Sequence, residues 1–137
     1  QFDKKDGLHY EAPDEAGFEV PKAAGTLALD NGKTDIVPGF FKKALTYMFD
    51  EAQVGQVDLL VNSAPYITIQ CEGFPYLAVW TMEDTHPFLC LEPWYGRTAT
   101  KGFSGELQDR AGITAVEGHK TFEAEYTIEV HEYVQEE

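Results

Sequence analysis

Glu92 is the side chain with the most chemistry to offer. It closes an apolar run, Phe88-Leu89-Cys90-Leu91, and is followed by Pro93, Trp94, Tyr95, Gly96 and Arg97. Alternation along a strand puts Phe88, Cys90 and Glu92 on one face and Leu89 and Leu91 on the other. A carboxylate at the end of so apolar a strand carries a desolvation cost unless it has a partner or a task. Two readings stay open at this point: Glu92 as an acid–base group of a site, or Glu92 as the place where the strand emerges into water. Trp94, Tyr95 and Arg97 divide in the same way. They can contact a ligand, or Trp94 can pack under the turn while Arg97 pairs with a nearby carboxylate.

Other reactive residues are sparse. Cys71 and Cys90 both lie in apolar, strand-like segments, where free cysteine behaves as a small buried hydrophobe. A disulfide or metal pair is the lesser alternative, and no Cys-x-x-Cys spacing is present. No metal site is expected. Of the four histidines, His131 lies among glutamates, His119 sits in a Glu117-Gly118-His119-Lys120 turn, and His86 precedes Pro87. His9 is isolated in Gly7-Leu8-His9-Tyr10. Surface or packing roles suit each of them better than catalysis.

The elements that must position Glu92 read as strands. Val57 to Val61 is one, and Tyr66 to Cys71 alternates Ile67, Ile69 and Cys71 with polar residues. Tyr76 to Thr81 is almost wholly apolar, as a strand covered on both faces would be, and Trp80 within it reads as core. At the end, Phe122, Ala124, Tyr126, Ile128 and Val130 are expected to face inward, with Glu123, Glu125, Thr127, Glu129 and His131 outward. Residues 1–39 carry turn signals at Asp3 to Gly7 and Asp30 to Lys33, with a short strand Thr26 to Leu29 that could start a hairpin. Phe40 to Ala52 is expected to be a short helix or turn. Glu132 to Glu137 reads as a solvated tail. The pattern is that of an all-β, antiparallel β-sandwich.

Composition bounds the partners. The 137 residues suffice for one domain, 1–137, with a real core, and 43 % of them are hydrophobic, including 9 Phe, 7 Tyr and 2 Trp. Lys and Arg number 10 against 24 Asp and Glu, a formal charge of −14. Such a balance argues against nucleic-acid and anionic-membrane partners, which need clustered cations. No apolar run reaches bilayer length and no signal-peptide pattern begins at Gln1, so a cytoplasmic protein is expected.

Pro87-Phe88-Leu89-Cys90-Leu91-Glu92-Pro93-Trp94-Tyr95-Gly96 resembles the signature of the aldose 1-epimerase (galactose mutarotase) family, in its bacterial branch of LacX-like proteins. Leu45-Thr46-Tyr47-Met48-Phe49 and Gly73-Phe74-Pro75-Tyr76-Leu77-Ala78-Val79-Trp80-Thr81 upstream have the family's look. So do Gly102-Phe103-Ser104-Gly105-Glu106-Leu107 and Gly112-Ile113 downstream. The likeness runs in consistent order over roughly residues 45–130. It implies the large two-sheet sandwich of the mutarotases (the galactose mutarotase-like supersandwich) and interconversion of the α and β anomers of a hexose, without a cofactor. In that family the glutamate following a Cys-Leu or Cys-Ile pair is the general base, and Glu92 matches that position. By the same likeness Trp94 and Tyr95 would contact the sugar's C–H faces and Arg97 its hydroxyls.

The chain departs from the family in one respect. There the general acid is a histidine from the earlier half of the domain, and none of His9, His86, His119 or His131 fits its motif. The chain resembles the C-terminal half only. A missing N-terminal half, in the same or a separate chain, is therefore the expected partner besides the sugar. A fragment of a longer protein is favoured over a two-chain protein or a shortened binding domain, because half a sandwich leaves sheet faces and strand edges uncovered. A non-catalytic carbohydrate-binding sandwich is the alternative function.

Overall fold

The computed structural model describes residues 1–13, 24–82 and 88–135. His86, Pro87, Glu136 and Glu137 lie outside the described residues. The strand-like stretches fold into eight short strands: β1 (Gly7–Tyr10), β2 (Gly25–Ala28), β3 (Thr46–Phe49), β4 (Gln56–Val61), β5 (Ala64–Gln70), β6 (Tyr76–Trp80), β7 (Cys90–Trp94) and β8 (Thr127–Val130). Among the described residues, helix is confined to one turn, α1 (Phe40–Lys43), and a 3₁₀ turn at Leu107–Asp109. The ambiguous Phe40 to Ala52 segment thus splits into a helical turn and strand β3.

All pairings among the described residues are antiparallel. β1 pairs with β2, β3-β6-β7 form one three-stranded sheet, and β4-β5-β8 form another. The β4–β5 hairpin turns at Asn62 and Ser63, both at positive φ (51° and 64°). Two positive-φ residues in a two-residue loop match the right-handed twist of the flanking strands. The expected hairpin after Thr26 does not form as a ladder. β2 pairs back onto β1, and Asp30 and Lys33 close only a local bridge.

One apolar cluster joins the sheets. Tyr47, Phe49, Leu77 and Val79, from the inner face of β3-β6-β7, share it with Val57 and Ile69 of β4-β5 and Leu8 of β1. Leu77 and Val79 on one face of β6 and Ala78 on the other are all buried, as the apolar run of that strand predicted. The cluster is not filled throughout. A cavity of about 370 Å³ lies between Tyr47, Phe49, Val79 and Leu91 on one side and Val57 and Leu59 on the other.

The final strand corrects the sequence reading. β8 is only four residues long and exposed throughout, with Ile128 at 55 % and Val130 at 70 % accessibility. Phe122 and Tyr126 are exposed too. Alternation placed Ile128 and Val130 correctly on one face, Ile128 across from Ile69 and Val130 across from Ile67. The apolar cluster covers that face at Ile69 but stops short of β8, so Ile128 and Val130 stay largely in water. Glu132 to Gln135 are exposed, as a solvated tail should be.

Candidate functional site

β7 is an edge strand, and its alternation delivers Cys90, Glu92 and Trp94 to the face opposite Leu91. The register with β6 fixes their neighbours: Trp80 lies across from Cys90, Ala78 across from Glu92, and Tyr76 across from Trp94. Two aromatic residues of β6 thus frame the carboxylate diagonally, and a fully buried alanine sits directly opposite it.

Glu92 is half-buried and meets donors. Trp80 donates its indole N–H to Oε1 at 2.8 Å, and Trp94 donates its own to Oε2 at 3.0 Å. The Cys90 thiol lies on the same strand face, two residues from Glu92. Burial first, then the neighbouring Glu92 charge, push the thiol above its usual range, which keeps it protonated. Phe88 packs its ring edge-on against Trp80, with centroids 5.9 Å apart. Glu92 therefore meets an indole donor at each oxygen rather than water alone.

The other expected contacts are distributed differently. Trp94 stands beside Glu92. Tyr95, one residue further, turns to the opposite side and packs between Phe74 and Phe122, each ring 4.8 Å away. Arg97 forms an ion pair with Glu11 at 2.5 Å and lies over the Tyr76 ring, 5.8 Å from its centre. Arg97 therefore borders the Glu92 face through Tyr76 while tying the first segment of the chain to the end of β7. Burial, aided by Asp50 and Glu11, raises the Tyr76 phenol above its normal range, so it stays neutral.

Sequence reasoning missed Trp80, read as core, and Tyr76 and Glu11, which it did not single out. Period-two alternation within Tyr76–Trp80 was the available signal for the first two. Nothing near Glu11 announced a partner 86 residues away.

Three histidines fall among the described residues, and each is engaged elsewhere or lies on the surface. His9 contacts the Thr26 hydroxyl through Nδ1 at 3.3 Å on the β1-β2 sheet. His119 is exposed in a left-handed turn. His131 contacts Thr68 through Nε2 at 2.9 Å, while Thr68 donates its hydroxyl proton to Asp58 at 2.6 Å. With that proton committed, Nε2 must be the donor, which makes His131 a member of a β4-β5-β8 network. Among the described residues no cluster of histidine, cysteine or carboxylate could hold a metal ion. Among the described residues, no helix is long and apolar enough to cross a membrane.

No family model matches the chain, and no curated protein matches its sequence. Among solved structures, the chain is similar to a galactose mutarotase related enzyme from Lactobacillus acidophilus, with a TM-score of 0.73 and 16 % identity. The similarity covers 91 % of this chain and 42 % of that enzyme, so the chain spans less than half of its length. At this identity the likeness establishes the fold. The chain is a nearly all-β, antiparallel structure of the mutarotase-like β-sandwich type.

Proposed function

We propose that residues 1–137 are the C-terminal portion of a mutarotase-like sandwich of the LacX-like branch, which interconverts the α and β anomers of a hexose. In this reading Glu92 takes the proton from the anomeric hydroxyl while an acid protonates the ring oxygen. The bond between C1 and the ring oxygen breaks, leaving an aldehyde and a free ring-derived hydroxyl. After rotation about C1–C2, the reverse transfers close the ring on the other face of C1. Atoms and charge balance without a cofactor. Each positioned acid or base contributes typically about 10²–10⁴ in rate.

One observation carries the proposal: a half-buried carboxylate set between two tryptophans on one sheet face of a mutarotase-like fold. Ring faces suit the C–H surfaces of a sugar, and a carboxylate suits its hydroxyls. The general acid belongs, in this proposal, to the remainder of the sandwich, in the same or a separate chain. That remainder would also cover the apolar face of β8 and fill the cavity behind Leu91. A cytoplasmic setting is part of the proposal and suits the free thiols of Cys71 and Cys90.

A second reading, a non-catalytic carbohydrate-binding sandwich, is favoured by one feature. An indole donor already occupies each Glu92 oxygen, and the histidines among the described residues are engaged elsewhere or exposed. Polarimetry on freshly dissolved α-galactose and α-glucose separates the two. The enzyme reading predicts that the intact protein speeds the approach to equilibrium; an unchanged rate would leave the binding reading.

A further inference from the structure

Both tryptophans of the chain point their indole N–H at the same carboxylate, from two directions. Trp94 reaches Oε2 along β7, two residues from Glu92, and Trp80 reaches Oε1 diagonally across from β6. We propose, resting on the reading of Glu92 as the base, that Trp80 and Trp94 are positioning residues: a paired indole clamp that fixes which way the carboxylate presents its free lone pairs to the sugar.

An ionised carboxylate has about four lone-pair sites. The two indoles take one on each oxygen, which leaves about one on each oxygen for an incoming hydroxyl. Ala78, fully buried, sits directly across the ladder from the carboxylate. Hydrogen bonds to a charged group are stronger and more directional than neutral ones. Rotation of the Glu92 side chain would break both indole bonds at once. The clamp therefore fixes the direction from which each oxygen can be approached, which is what a proton transfer at a single anomeric oxygen requires. It also changes the role of Trp94. Its N–H serves Glu92, so its ring is held in place rather than free to swing onto a ligand. Phe88 does the same for Trp80 from the outer side.

The test uses Trp80→Phe and Trp94→Phe, which keep a ring and delete the N–H. A clamp predicts a fall in kcat of about 10-fold for either variant, with KM changed less than about twofold, since a hydrogen bond to a charge is lost and the ring is kept. If one variant fails to fold, the other tests the same carboxylate from its second oxygen. An independent reading comes from the ¹H–¹⁵N spectrum of the protein, in which two tryptophans give two indole signals. Glu92→Gln should move both, because an amide offers one accepting atom and turns an NH₂ donor toward the other indole. Unmoved indole signals, or a raised KM with unchanged kcat in both phenylalanine variants, would overturn the clamp. Absence of mutarotation by the intact protein would sink the proposed function instead; the indole signals then decide the clamp by the same criterion.

Discussion

At Glu92, strand alternation achieves two things together. It lifts a carboxylate out of the apolar layer containing Leu91, and it places Trp94 beside that carboxylate on the same face. The first follows from two-residue spacing and was legible in the sequence. The second was not, since Trp94 was expected in a turn and β7 instead runs on through Pro93 to Trp94. Nor was the donor on the other oxygen, because Trp80 meets Glu92 only through the β6–β7 register, which spacing alone does not fix. Arg97 was harder still, since its carboxylate lies in another segment altogether. That ion pair gives Gly112 a purpose. Gly112 has φ +79°, and a Cβ there would stand 2.6 Å from Arg97 Cγ and 3.2 Å from the Tyr76 hydroxyl. Arg97 is held by Glu11 and cannot yield cheaply. Gly112→Ala should therefore cost about 1–3 kcal/mol, read as a lower urea midpoint with an unchanged slope. Cys71 provides a pH-dependent counterpart. Burial first, then Asp3 and Glu72, push its thiol from 9.0 up to about 11. A raised thiol means the folded state disfavours the thiolate, so this contribution to stability is complete below pH 9.0 and is lost as pH climbs toward about 11. Denaturation midpoints should fall across that window, and Cys71→Val should flatten the fall.

The elements separate cleanly by how much of their pattern local sequence controls. β5 and β6 were visible as alternating and continuous apolar runs, and the Asn62-Ser63 turn between β4 and β5 fixes their hairpin. β3 was obscured because Phe41, Leu45 and Met48 also fit a helical stripe, and only the first turn takes that form. β8 shows the opposite failure. Its alternation is strong, yet burial requires an opposing layer, and the described residues supply none over Ile128 and Val130. This contrast has a measurable consequence. Leu77, 2 % exposed at the centre of the sheet, should cost about 2–5 kcal/mol on truncation to Ala. Ile128→Ser, at an exposed edge position, should stay within about 0.5 kcal/mol in the same chain. Urea denaturation of the two variants checks both. Equal losses would mean that β8 is buried in solution.

On the scale of the molecule, two faces of one sheet have different fates. The inner face of β3-β6-β7 joins the shared apolar cluster and borders a cavity of about 370 Å³; the outer face carries Glu92, both tryptophans and Tyr76. The chain spans 42 % of the mutarotase-related enzyme whose fold it shares. In the proposed function, further chain would cover the exposed β8 face and supply the general acid for Glu92. The central claim is that Glu92 takes up the anomeric proton, and one comparison tests it most directly: the polarimetric rate of α-galactose mutarotation with intact protein and with Glu92→Gln. The account predicts that the substitution lowers the catalysed rate by about 10²–10⁴, the usual worth of a positioned base. Equal rates with the two proteins would contradict it.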